Sequence, residues 1–514
     1  MTQVCLAFEV HQPFRIDKNF TEDLARGRRP TELFDIYFNN TWNRKILLRA
    51  ADKCYRPANR ILLENIDRFK NERRRFKVAF SLSGTFLEQC ELWAPDILDS
   101  FRQLAETGYV EFLCQTYFHS LSSLFSAERP EFVDQVLMHQ ERMEELFGHK
   151  PQVFENTEFL YNNSIAKTVA RLGFRGIFTE GAERVLGWRS PNFVYQAKDC
   201  DLRLLLRNYK LSDDVSFRFS NRLWSGWPLS ADKYAEWLSR TPGQCINIVM
   251  DYETFGEHQW PETGIHEFLR WLPDEVLKHE HLQFSTPSEL LNHEPVGAID
   301  VNDFDTVSWA DVSRSTSAWL GNDMQRTSYN AVKGLEPFVK KTKNEALLRI
   351  WRLLQTSDHV YYMYTAEDAS GLVHGYFSQQ YPVEVFWSFM KLVSHLHEKV
   401  AESLRGKERV SARLLRAVPP DRAFHFHEDG VYINLSAHSL EELRDVLPLA
   451  SDKSLLFHVA CKHFEKWVRF TIGDSGLADR ISAIEGENAA DLRPRLRNAI
   501  QQRISELRKD EKIG

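Results

Sequence analysis

Residues 245–258 are the stretch that most constrains the fold of this 514-residue chain. Five of the six residues from Cys245 to Met250 are apolar, with no helical spacing, which predicts a buried strand. The run then breaks into Asp251, Glu253, Gly256, Glu257 and His258. Open α/β sheets and barrels place their chemistry at the carboxyl ends of strands, where loops expose side chains on a rigid base. Carboxylates are costly to bury there unless something uses them. The plain alternative is a strand that runs out into a polar loop.

A second segment repeats the pattern. Residues 151–163 form a short apolar stretch that ends in acids, with Glu155 and Glu158 ahead of Phe159-Leu160-Tyr161. Glu158 and Asp251 are then expected at the same rim of one sheet. Two carboxylates facing each other across a cleft are the working parts of most glycosidases, one ionised as nucleophile and the other holding a proton for the leaving oxygen.

Strand-like apolar runs recur through the first half, at 4–10, 76–82, 109–113, 152–154, 174–178, 202–206, 246–250 and 282–284, with helix-like stretches such as 131–146 and 164–172 between most of them. Alternation of this kind predicts a parallel sheet with helical crossovers, and the number of units suits a barrel. After Pro287 the texture changes. Residues 325–354 and 382–404 read as long amphipathic helices, so a helical bundle is expected after the barrel. The stretch 406–422, with Pro419-Pro420, reads as a boundary, followed by a β-type region at 423–435 and a helix opened by Ser439 and Glu442 in capping-box spacing. A charged helix over 491–512 closes the chain. The expected division is a barrel at 1–295, a bundle at 296–405 and a small α+β domain at 420–514.

The net charge of -7 argues against a nucleic-acid partner, whose phosphates need a basic face. A neutral polysaccharide fits better, since sugars are held by aromatic stacking and hydrogen bonds. The amino terminus has no basic region and no long apolar segment, so it reads as the first strand of a mature domain rather than a signal peptide. No membrane partner is expected, because no stretch approaches the ~18 apolar residues of a span. Seven scattered cysteines show neither metal-type spacing nor an even disulfide framework, and the cytoplasm is the expected compartment.

Five ordered segments now stand out: His11-Gln12-Pro13, Glu111 before Tyr117-Phe118-His119, Asn156-Thr157-Glu158-Phe159, Asp251 through His258, and Thr286-Pro287-Ser288-Glu289. Together with Ser308-Trp309-Ala310-Asp311 and Ser317 through Gln325, they make the chain resemble glycoside hydrolase family 57, closest to its α-amylase subgroup, over roughly residues 1–404. The resemblance implies an incomplete (β/α)7 barrel followed by a helical bundle that completes the substrate cleft. It also implies a retaining α-glucan hydrolase acting on α-1,4 bonds in maltooligosaccharide, starch or glycogen. Glu158 occupies the position of the family's nucleophile and Asp251 that of its general acid/base, while His11 and Glu111 match positions lining the sugar subsite beside the scissile bond.

Retention needs Glu158 to attack the anomeric carbon while protonated Asp251 supports the departing glucan. Asp251 must then keep its proton above the ordinary aspartate range, by partial burial or a neighbouring carboxylate. Glu253 and Glu257 are candidate neighbours, though the local pattern reads them as surface or helix-start charges. His119 and His258 are candidate hydroxyl contacts, with an ordinary loop role as the alternative. Trp227 and Trp309 are candidate sugar platforms, whereas Trp319 reads as core. His374-Gly375-Tyr376-Phe377 reads as a break between bundle helices that could reach the cleft.

Neither a cofactor nor a metal is expected. Barrels of the carbohydrate deacetylase and mannosidase type bind a divalent ion through His and Asp, and want an Asp close behind the first-strand His, where Pro13 stands here. His425 and His427 fit alternate positions of a half-exposed strand better than a metal pair. Two other functions stay open from sequence: a 4-α-glucanotransferase or branching-type transglycosylase using the same two acids, and a non-catalytic glucan-binding protein.

Overall fold

Each of the eight apolar runs becomes a strand in the computed structural model, which describes residues 1–366, 381–486 and 488–509. In the order of the chain these are β1 (Thr2–Val10), β2 (Val78–Leu82), β3 (Val110–Phe112), β4 (Val153–Glu155) and β5 (Gly176–Glu180). A strand the pattern did not predict, β6 (Val194–Ala197), precedes β7 (Arg203–Arg207), β8 (Cys245–Asp251) and β9 (Leu282–Phe284). A two-residue strand, β10 (Ala298–Ile299), follows them. β6 is short and carries a polar residue among its four, and it pairs antiparallel with β7 on the edge opposite β5, so it lacks the longer apolar run by which the other strands are read.

Seven parallel strands follow one another as β4, β5, β7, β8, β1, β2 and β3. The last is joined back toward the first only through the single bridge Cys114↔Phe154, and β7 meets β8 only at Arg207↔Asn247. The sheet is therefore an incomplete (β/α)7 barrel whose ladder thins to one residue pair at two places.

Side chains alternate strictly across the strands, and this alternation builds the site. On β1, Val4, Leu6, Phe8 and Val10 pack outward against helices such as Arg56–Phe69, while Cys5 and Ala7 face the interior with Ala79, Leu113, Val153, Phe178, Leu205, Cys245 and Val249. Apolar residues of mixed size fill the lower barrel. The next inward positions toward the carboxyl ends are Glu9 on β1, Ser81 on β2, Glu155 on β4, Glu180 on β5, Arg207 on β7 and Asp251 on β8. All of these but Asp251 are buried.

This first compact unit comprises residues 1–15 and 40–318. The second comprises residues 16–39 and 319 onward. Within it, the predicted helix over 325–354 is three helices, Asp323–Gly334, Glu336–Lys341 and Glu345–Leu353. Pro337 restarts the chain after the first, and Asn344 caps the third by accepting from the Ala346 and Leu347 amides. The helix Pro382–Ser403 runs through the core of this unit, where the Nε2–H of buried His397 donates to the Ala331 carbonyl at 3.0 Å. Trp319 is buried, as its position in the sequence suggested.

An antiparallel hairpin, β11 (Phe424–Glu428) and β12 (Val431–Ala437), packs with helices Leu440–Val446, Asp452–Ala460 and Ala489–Lys509. Ser439 does cap the first of these, but Glu442 reaches back to the His438 amide rather than to Ser439. The segment holding His374 to Phe377 lies outside the described residues. No described helix is long and apolar enough to cross a membrane.

Candidate active site

Asp251 is the last residue of β8 and lies directly beside Glu9 in the parallel register of β1 and β8. Glu158 lies three residues beyond the end of β4, so both acids stand at the same rim. The backbone at Glu158 and Phe159 has φ of 57° at both residues, and His119 has φ of 48°. Left-handed conformations of this kind are costly for residues with a Cβ, and three of them meet at this rim.

Glu158 is held from two sides. The Trp309 indole Nε1 donates to Glu158 Oε2 at 2.7 Å, and His119 Nε2 lies 3.5 Å from Oε1. The other ring nitrogen of His119 lies 2.9 Å from Gln115 Oε1 and 3.1 Å from Glu9 Oε1. His11 stacks on the His119 ring at 4.1 Å between centroids, and its Nδ1 meets the Ser83 hydroxyl at 2.7 Å. His11, His119, Glu158 and Trp309 are thus one connected group.

Across the rim, His258 Nδ1 stands 4.0 Å from Asp251 Oδ2. Burial pushes the His258 imidazole down to about 4, so a neutral ring faces Asp251 at neutral pH. The Glu158 side chain is 15% exposed and that of Asp251 is 40% exposed. One carboxylate is fixed by donors, and the other is open to solvent.

Three further acids surround this pair. Burial pushes the Glu155 carboxyl up to about 8; the Ser81 hydroxyl opposes the rise, and the charges of Asp251 and Glu158 add to it. Glu253 is likewise raised to about 8 by burial and by Asp251, against hydrogen bonds from Tyr55 and Gln12. Glu9 is raised well above the ordinary range by burial, then by Glu155, Glu158, Asp251 and Glu253. Because Glu158 and Asp251 both act on Glu9 and on Glu155, the two acids lie within one electrostatic neighbourhood.

Reading Glu253 and Glu257 as surface charges is corrected by the structure. Both are buried, Glu253 against Tyr55 and Glu257 in an ion pair with Arg49. The turn that follows Asp251 packs so closely that a Cβ on Gly256, at φ of 136°, would stand 1.9 Å from the Lys53 carbonyl oxygen.

Glu111 is placed elsewhere. It pairs with Ala79 on β2, one inward layer below Ser81 and Glu9, and accepts from the Ser288 amide at 2.9 Å and the Ser288 hydroxyl at 2.5 Å. Its oxygens anchor the helix Pro287–Leu290. Trp227 belongs to the loop ahead of the helix Ala231–Ser239, 42% exposed, with the Arg222 guanidinium 5.8 Å from its ring.

Sequence reasoning missed Glu9 and Glu155 as parts of the site. The signal was present: each is a carboxylate on the interior register, at the carboxyl-terminal end of an otherwise apolar run. A buried network beside them was missed as well. Arg207 donates to Glu180 at 3.0 Å, to Asp213 at 2.6 Å and to the Val249 carbonyl at 2.8 Å, and Arg314 reaches Asp213 at 3.4 Å.

Comparison with known proteins gives a consistent picture. The sequence profile of Glycosyl hydrolase family 57 matches residues 5–302. A protein of Methanocaldococcus jannaschii with a provisional alpha-amylase name is 45% identical over 411 residues, covering 78% of this chain and 85% of that protein. Among solved structures, the 4-alpha-glucanotransferase of Thermococcus litoralis aligns with TM-score 0.54 at 16% identity, over 84% of this chain and 62% of that one. A branching enzyme of Thermococcus kodakaraensis aligns with TM-score 0.54 at 14% identity, over 80% of this chain and 90% of that one. At such identities these structures speak for the fold alone.

Proposed function

The chain belongs to glycosyl hydrolase family 57, and from that premise we propose that it is a retaining α-glucan hydrolase that cleaves α-1,4-glucosidic bonds in maltooligosaccharides, starch or glycogen. Glu158 is the nucleophile and Asp251 the general acid/base. In the first step a Glu158 oxygen bonds to the anomeric carbon as the bond to the leaving O4 breaks, and Asp251 delivers its proton to O4. In the second, water bonds to the anomeric carbon, its proton passes to Asp251, and the ester to Glu158 breaks.

The observation that carries this reading is the unequal treatment of two acids at one rim. Glu158 is oriented by Trp309 and flanked by His119, which suits a group that must present one oxygen in a fixed direction. Asp251 is half-exposed and faces a neutral imidazole, which suits a group that exchanges its proton with water and with leaving oxygens. His11, stacked on His119 at the same rim, is the candidate for a sugar hydroxyl contact.

Incubation of the full chain with maltoheptaose, beside the Glu158→Gln variant, tests this. Shorter products with matching growth in reducing ends, absent from the variant, are the expected result. Products longer than the substrate with reducing ends unchanged would replace hydrolysis by transglycosylation. Substantial activity in Glu158→Gln would remove the nucleophile assignment.

A further inference from the structure

We propose that Trp309 is a positioning residue for the Glu158 nucleophile rather than a sugar platform, its indole N–H fixing one carboxylate oxygen so that the other faces the anomeric carbon. The inference rests on the reading of Glu158 as nucleophile. Its geometry is independent of that reading.

Three contacts lock Trp309 onto the Glu158 segment. Its indole N–H meets Oε2 at 2.7 Å, its backbone amide donates to the Glu158 carbonyl at 3.2 Å, and its ring lies on Phe159 at 4.9 Å with planes 9° apart. Two residues earlier the same segment closes an antiparallel bridge, Tyr161↔Val307, with amide-to-carbonyl distances of 2.9 Å in both directions. The bridge sets the register that brings the indole over the carboxylate. Phe159 is fully buried and held in turn against Phe178, so the stack is anchored to β5.

The loop that presents Trp309 is fastened to the barrel by charge. Arg314 donates to the Trp309 carbonyl and extends to Asp213, which is paired with buried Arg207. Arg207 itself lies 5.6 Å from the centre of the Trp309 ring. Arg184 holds the other strand of the loop through the Asp305, Thr306, Ser313 and Arg314 carbonyls, at 3.1 to 3.2 Å. With Phe159 and Arg207 against it and its N–H spent on Glu158, the indole is committed to the protein.

A donor to a carboxylate favours the anion and fixes its direction. Loss of one hydrogen bond to a charged group corresponds to roughly 10- to 100-fold in rate when the bond is needed at the transition state. The test uses the full-length protein with Trp309→Phe, which keeps a ring for Phe159, and with 3-benzothienylalanine incorporated at position 309, which keeps the bicyclic shape and replaces N–H by sulfur. For both, kcat on maltoheptaose is expected to fall roughly 10- to 100-fold while KM stays within about twofold. The benzothienyl form guards against a Phe variant that fails to fold.

A platform role would raise KM and spare kcat, and that result overturns the proposal. So does a benzothienyl enzyme with wild-type kcat. Glu158→Gln in the same assay separates the two readings. An active Glu158→Gln enzyme removes the nucleophile assignment and the inference with it, whereas an inactive one beside unaffected position-309 variants removes the inference alone.

Discussion

Replacing Glu155 by Gln removes a buried acid that the fold keeps protonated at neutral pH. Glu155 is 1% exposed, and burial raises its carboxyl from 4.5 to about 8. A group that binds its proton more tightly in the fold than in the unfolded chain gives its full stabilisation below about pH 4.5 and loses it as the pH rises toward about 8. Inside that window each pH unit costs up to about 1.4 kcal/mol, so between pH 6 and pH 9 the wild type should lose about 3 kcal/mol through this residue. For a unit of roughly 300 residues the entropy of unfolding is about 0.6 kcal/mol per degree, which turns that loss into about 5 °C of Tm. The assay is thermal unfolding of both proteins at pH 6 and at pH 9. The wild type is expected to fall by about 5 °C more than Glu155→Gln across that interval. Any misfit of the amide in the pocket shifts both readings of the variant together and cancels in the difference. Parallel falls would refute the reasoning, because they would mean that Glu155 ionises in the fold as easily as in the unfolded chain.

Two further predictions follow from the same rim. Asp251→Asn should lower kcat by about 10²- to 10⁴-fold, and azide should enter at the glycosyl-enzyme stage and give an α-glycosyl azide, identified by NMR; a β-azide would assign the acid/base role elsewhere. Arg207→Met leaves Glu180 and Asp213 without their buried partner and should cost about 3–5 kcal/mol in urea unfolding at pH 8. Burial already raises the Glu180 carboxyl, so the cost should shrink toward pH 5 as that group takes up a proton. An equal cost at both pH values would show that Glu180 stays ionised without Arg207.

The parts of this molecule that were legible in sequence are those set by short-range pattern. An apolar run bounded by polar loops fixes a buried parallel strand, and all eight such runs formed one, because both faces of each must be covered. Asp251 and Glu158 could be read as site acids since each stands at the end of such a run. Glu9 and Glu155 obey the same alternation, but a single acid within an apolar strand does not announce which face it takes; the interior register of Cys5 and Ala7, or of Val153, decides it. Glu253 and Glu257 were misread for a related reason. A polar stretch after a strand looks solvent-facing until the close approach of Gly256 to the Lys53 backbone turns the whole loop inward, where Tyr55 and Arg49 meet the two acids.

Trp309 marks the limit of sequence reading. Its tetrapeptide can be recognised in the chain, yet its partner lies 151 residues away, and nothing in either segment encodes the pairing. The antiparallel bridge Tyr161↔Val307 supplies it, and a slip of one residue along that bridge would turn the indole away from Glu158. Recognition of motifs therefore singles out two acids that the fold brings to one rim, but assigns the tryptophan to the sugar by default, since an aromatic in a glucan-active chain has an obvious use. The position of the N–H, 2.7 Å from a carboxylate oxygen, gives it a different one. On the proposed assignment of Glu158, this donor ties the rate of the chemical step to a loop held by Arg184 and Arg314, so changes in that loop should act on kcat before they act on substrate binding.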